Sequence, residues 1–187
     1  LGDEHPNVAA SFNNLANLYR SQSRYEEADP LYQHALELNK RILGAEHPTV
    51  AQNMNNLANS YYRQNRYEEA ESLYQQALQI KTRVLGTEHP DIATSLNNLA
   101  TVYVAEQRLT EAEELYAKAI EQRKRLLGEQ HPYVAVSLNN LAALYAKQGR
   151  STESRAIYEE ALVLASESLG PDHPTSVSIK NKLKALA

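Results

Sequence analysis

The motif Leu-Gly-x-x-His-Pro recurs every 42 residues, at Leu1-Gly2/His5-Pro6, Leu43-Gly44/His47-Pro48, Leu85-Gly86/His89-Pro90, Leu127-Gly128/His131-Pro132 and Leu169-Gly170/His173-Pro174. A constant period over nearly the whole chain restricts the fold to stacked copies of one supersecondary unit, each packed mainly on its neighbours. Such an architecture offers a long surface to another molecule rather than one pocket for chemistry. The usual estimate of domain number from a length of 187 residues therefore does not apply.

Each copy reads as two amphipathic helices. After His-Pro, apolar residues return at spacings of three and four (Val8, Ala9, Phe12, Leu15, Ala16, Leu18, Tyr19), the signature of one buried helix face. Pro6, Pro48, Pro90 and Pro132 suit a first helical position, where the missing N–H costs nothing. This helix A is predicted to run from the Pro to Ser21, Arg63, Ala105 or Lys147. A short polar turn leads into helix B, which carries acids in its first turn (Glu26-Glu27, Glu68-Glu69, Glu111) and bases near its end (Lys40-Arg41, Lys81 and Arg83, Arg123-Lys124-Arg125). That order complements the helix dipole, and Gly44, Gly86, Gly128 and Gly170 supply the stop. The expectation is an all-α superhelix of antiparallel helix pairs, with repeats at about 5–46, 47–88, 89–130 and 131–172. Residues 173–187 form either a capping helix or a truncated fifth repeat, with Lys180 and Lys184 where earlier copies have apolar or small residues.

The residues Leu15-Ala16…Tyr19, then Ala28, Tyr32 and Ala35, resemble the tetratricopeptide (TPR) repeat. The common TPR unit is about 34 residues; the longer unit here, with Leu-Gly-x-x-His-Pro and Asn-Asn-Leu-Ala, is similar to the kinesin light chain subclass. The resemblance implies a right-handed α-solenoid whose A helices line a concave peptide-binding groove. Kinesin light chain grooves bind short cargo peptides, some with a Trp flanked by acids. The heptad-rich coiled coil that joins a light chain to its motor is not in this sequence.

Every A helix of the four repeats carries an Asn pair: Asn13-Asn14, Asn55-Asn56, Asn97-Asn98 and Asn139-Asn140. By the resemblance, the first Asn of each pair projects into the groove, and the second hydrogen-bonds within the helix stack. Residues four and seven positions later share the first Asn's stripe. The candidate groove residues are Asn13, Asn17, Arg20, Asn55, Asn59, Tyr62, Arg63, Asn97, Thr101, Asn139 and Lys147. With helices packed about 8–10 Å apart and a strand rising about 3.3 Å per residue, each repeat would read about three ligand residues.

Charge sharpens this expectation. From helix A through the turn (7–24, 49–66, 91–108, 133–150) there are seven bases (Arg20, Arg24, Arg63, Arg66, Arg108, Lys147, Arg150) and two acids (Asp91, Glu106). That leaves +5 there and −9 elsewhere in a chain of net charge −4. A partner bearing Asp, Glu or a free carboxylate is the complement. Arg24, Arg66, Arg108 and Arg150 are expected to cap or pair with neighbouring helices, leaving Arg20, Arg63 and Lys147 for the groove.

Composition narrows the alternatives. A pI near 5.9 argues against general affinity for nucleic acid or an anionic membrane. The chain has no cysteine, so neither disulfides nor thiolate chemistry arises. No run of about 20 apolar residues is present to span a bilayer. The His residues of the motif, separated by whole repeats, serve the loop and helix start rather than a metal. There is no Gly-rich phosphate loop and no clustered Ser/His/Asp set. The expectation is thus a cytoplasmic, non-enzymatic protein–protein interaction scaffold without a cofactor, its ligand an extended, partly acidic peptide. A cargo-adaptor segment of a motor complex and a self-stacking structural solenoid, associating end to end, are the alternatives.

Overall fold

The computed structural model describes residues 5–186; the Leu1-Gly2 copy of the motif lies outside them. Among the described residues there are nine helices and no strand. The A helices are α1 (Pro6–Ser21), α3 (Pro48–Arg63), α5 (Pro90–Ala105) and α7 (Pro132–Lys147). The B helices are α2 (Tyr25–Leu43), α4 (Tyr67–Leu85), α6 (Leu109–Leu127) and α8 (Ser151–Leu169), and α9 (Pro174–Ala185) follows. They group into two compact units, α1–α4 and α5–α9, dividing between Thr87 and Glu88. The all-α repeat fold and the A-helix boundaries expected from the sequence are those observed.

Within each unit, every A helix packs along its own B helix, and that B helix packs on the next A helix. Fully buried alanines set the close approach. Ala16, Ala28 and Ala35 in the first hairpin, with Ala100, Ala112 and Ala119 in the third, expose no surface. Buried Tyr32, Tyr74, Tyr116 and Tyr158 supply the bulk between them. In the fourth hairpin Ser154 replaces the alanine at the Ala28 position. It stays buried because its hydroxyl donates to the Ala142 carbonyl at 2.7 Å.

The joint between repeats is built from its own residues. Gly44 ends α2 at φ +88° and ψ 152°, a region closed to side chains with a Cβ, so the motif requires Gly there. Three residues later His47 is the N-cap of α3: its Nδ1 accepts from the Thr49 N–H at 3.2 Å, and Pro48 opens the helix. His5, His89, His131 and His173 cap α1, α5, α7 and α9 in the same way.

The turn inside each hairpin is a Schellman motif. In the first, the Arg24 N–H bonds the Tyr19 carbonyl and the Ser23 N–H bonds that of Arg20. The residue in the left-handed region is Ser23, Asn65, Gln107 or Gly149, so only the fourth turn uses Gly. The following Arg stacks on the Tyr five positions back, with 3.6–4.3 Å between guanidinium carbon and ring centre. It also pairs with the acid three residues on: Glu27, Glu69, Glu111 or Glu153. Arg66 reaches across to Asp29 at 3.2 Å, and Arg150 to Glu113 at 2.9 Å. These arginines thus serve the hairpin and its neighbour, as expected.

Candidate functional site

The A-helix stripe divides into residues that face outward and residues that turn into the packing. In the unit formed by α1–α4, Asn13, Asn17, Arg20, Asn59 and Tyr62 are half-buried and Arg63 is exposed. Asn17 Oδ1 accepts from the Tyr32 hydroxyl at 2.7 Å and from Arg20 at 3.3 Å, while Arg20 Nε donates to the same hydroxyl at 3.0 Å. Asn59 Oδ1 accepts from Tyr74 at 2.7 Å. Burial pushes the Tyr74 phenol well above its usual range, so it remains a donor. The stripe's second position is therefore held rigid by the Tyr of its own B helix.

In the unit formed by α5–α9, Thr101 takes the place of Asn17 and its hydroxyl lies 2.9 Å from that of Tyr116. Asn139 is half-buried and accepts from Lys182 at 3.0 Å. Lys147 is exposed and donates to the Val104 carbonyl at 2.8 Å.

Asn55 and Asn97 turn inward, with 4% and 6% of their surface exposed. Asn97 Oδ1 accepts from Ser137 Oγ and from Asn140 Nδ2, both at 3.2 Å, and so ties α5 to α7. Asn55 Oδ1 is buried with no partner among the described residues. A helix between two packed neighbours has two covered flanks, and these two amides fall on one of them. The second Asn of the pair does bond within the stack: Asn56 donates to Asn13 at 3.4 Å as Asn140 does to Asn97. Lys182, at the same repeat position, continues the row to Asn139, and burial holds its ammonium below the usual lysine range.

Positive charge converges at one place in the first unit. Arg20 and Arg63 line a common cavity of about 370 Å³ with Ser21, Ser23 and Tyr25. Neither forms an ion pair among the described residues, whereas Arg24, Arg66 and Arg83 in the same unit each hold a carboxylate. Among the described residues no three His, Cys, Asp or Glu side chains gather as metal ligands, and no helix is long and apolar enough to cross a membrane.

The tetratricopeptide repeat family model matches residues 7–83, 50–106, 91–162 and 133–186. The chain is a TPR protein. Solved structures resemble it over 97% of its length. A kinesin light chain protein of Podosopora anserina with nearly identical TPR-like repeats is 26% identical with a TM-score of 0.80, and 86% of that chain is covered. BtubC (BKLC) from P. vanneervenii is 28% identical with a TM-score of 0.82, and 72% of that chain is covered. No curated protein matches. This TPR chain thus stands among kinesin light chain-like repeats, a non-catalytic scaffold class whose repeats bind protein partners.

Three features of the site were not anticipated from sequence. The B-helix tyrosines fix Asn17, Asn59 and Thr101; the fixed spacing of 15 residues was the available signal. Asp29 and Glu113 anchor the turn arginines of the next hairpin. The amides of the first position alternate between accessible Asn13 and inward Asn55 without any change in sequence around them.

Proposed function

We propose that this chain is a non-enzymatic scaffold that holds an extended, partly acidic peptide segment against the A-helix faces of its repeats. The observation that carries the reading is the cavity shared by Arg20 and Arg63, two arginines without carboxylate partners among the described residues. Guanidinium groups in a concave surface favour carboxylates through charge-assisted, bidentate hydrogen bonds. Asn13, Asn17, Asn59 and Tyr62 flank them with amide and hydroxyl groups suited to a peptide backbone. Thr101, Asn139 and Lys147 are the corresponding candidates on α5 and α7. Asn55 and Asn97 are left out of this surface because they are buried.

The test is a peptide-display selection against the chain, followed by binding of the selected peptides at increasing ionic strength. Acidic winners whose affinity falls with salt, and falls about ten-fold or more in an Arg20→Glu/Arg63→Glu variant, support the reading. Neutral or basic winners unaffected by the variant defeat it.

A second reading, association of copies through their end faces, is favoured by one observation. Leu15 and Leu18 on α1 are 40% and 52% exposed, whereas Leu57 and Leu141, which share the Leu15 position, are buried. Light scattering over a concentration series tests it, and a Leu18→Glu variant that leaves the mass unchanged excludes it.

A further inference from the structure

The repeats differ sharply at one internal position near the end of helix B, occupied by Asn39, Lys81, Arg123 and Ala165. In the second unit Arg123 fills the space between α5, α6 and α7, with 4% of its surface exposed. Its guanidinium donates to the Tyr133 carbonyl at 2.8 Å, to Ser137 Oγ at 2.5 Å and to Thr94 Oγ1 at 3.2 Å. No carboxylate balances it, and burial lowers it to about 10.

In the first unit, two repeats earlier, the equivalent residue is Asn39, which stops several atoms short. The positions of Thr94, Tyr133 and Ser137 are taken by Ala10, Thr49 and Asn53. Where the guanidinium lies in one unit, the other has a cavity of about 330 Å³ lined by Ala10, Asn39, Thr49 and Asn53, with Asn13 and Gln52 at its side. Asn53 is 2% exposed, and its Nδ2 has no acceptor among the described residues. The wall carries no charged side chain.

We infer that this cavity takes a neutral carboxamide side chain, Gln or Asn, from a bound peptide. The carboxamide oxygen supplies the acceptor that Asn53 Nδ2 lacks. Its NH2 donates to the Thr49 carbonyl, at the position where the Tyr133 carbonyl receives Arg123. A carboxylate has no donor for that carbonyl, and a guanidinium has no acceptor for Asn53. An uncharged wall also leaves either ion without compensation. The cavity is distinct from the one lined by Arg20 and Arg63, and the inference stands without the acidic-peptide reading.

The test uses the full chain, labelled with nitrogen-15, titrated with N-acetyl-glutamine-N-methylamide and with its glutamate and arginine counterparts. Saturable shifts of the Asn53 and Asn39 side-chain amides are expected, with the glutamine compound binding about ten-fold more tightly than either ion. In Asn39→Arg the chain supplies its own guanidinium to the cavity, and glutamine binding should be lost. Asn53→Leu removes the donor and serves the same purpose if Asn39→Arg fails to fold. Arg63→Glu should leave glutamine binding unchanged, which separates this site from the acidic one. Equal or tighter binding of the arginine or glutamate compound, absence of saturable shifts, or retained binding in both cavity variants overturns the inference.

Discussion

Asn140 donates its side-chain N–H to Asn97 Oδ1 at 3.2 Å, linking two A helices at positions one repeat and one residue apart. Ser137 donates to the same oxygen. Because Asn97 is buried, removing its carboxamide leaves two donors without an acceptor. Asn97→Ala is expected to destabilise the unit by about 1–3 kcal/mol. A double-mutant cycle with Asn140→Ala in urea denaturation should return a coupling of about 0.5–1.5 kcal/mol. Additive effects would show that the bond contributes nothing.

Glu113 carries an acid-side prediction. Burial alone pushes its carboxyl up, but hydrogen bonds from Arg150, Tyr145 and Gln148 outweigh that and hold it below the usual glutamate value. A carboxyl whose folded pKa is depressed contributes stability that is present above the unfolded value of about 4.3 and is lost as pH falls through the folded value. Glu113→Gln should therefore be less stable than the parent at neutral pH, with the gap closing as acid is added. Urea midpoints measured from pH 7 down to pH 3 check this; a gap that stays constant sinks it.

Pro30 lies inside α2, exposed, six residues into the helix. It lacks the N–H that would bond the Glu26 carbonyl. The other B helices have Ser72, Glu114 and Ala156 at this position. Pro30→Ala should stabilise the first unit by about 1–3 kcal/mol, since interior Pro costs about 3 kcal/mol relative to Ala and some is returned through the unfolded chain. Thermal unfolding followed by circular dichroism reads the change.

Gln107 sits at φ +65° in the turn where Gly149 sits at φ +77°. The left-handed conformation costs a residue with a Cβ about 1–2 kcal/mol. Gln107→Gly should raise the melting temperature of the chain, and Gly149→Gln should lower it. Nothing lies within 4 Å of a Cβ placed at Gly149, so the second effect isolates backbone strain from crowding.

The helix boundaries were legible because Pro at the first position and Gly at the last are local signals that no packing overrides. The His of the joint was read as scaffold but not as an N-cap. An imidazole is outside the usual set of capping side chains, and only the geometry shows Nδ1 directed at the N–H two residues on. Ser23, Asn65 and Gln107 gave no sign of a left-handed turn because the Gly that would mark it appears only at position 149. The Asn pairs were partly legible. Periodicity puts Asn13, Asn55, Asn97 and Asn139 on one stripe, but it does not say how deeply a neighbouring helix covers each. The contrast between Asn39 and Arg123 is visible in the aligned repeats. Its meaning depends on Thr94, Tyr133 and Ser137, which come from two other helices.

The joint at Gly44, His47 and Pro48 reads only residues within itself: the Gly sets the bend, and His47 caps a helix whose next N–H lies two residues on. A gene that duplicates or deletes a whole block of 42 residues therefore recreates an intact joint at the new seam. The pairings that such an event puts at risk are those joining one block to the next, such as Asp29 with Arg66 or Asn97 with Asn140. Array length can thus drift freely in evolution, while the order of the blocks is held by their side-chain contacts.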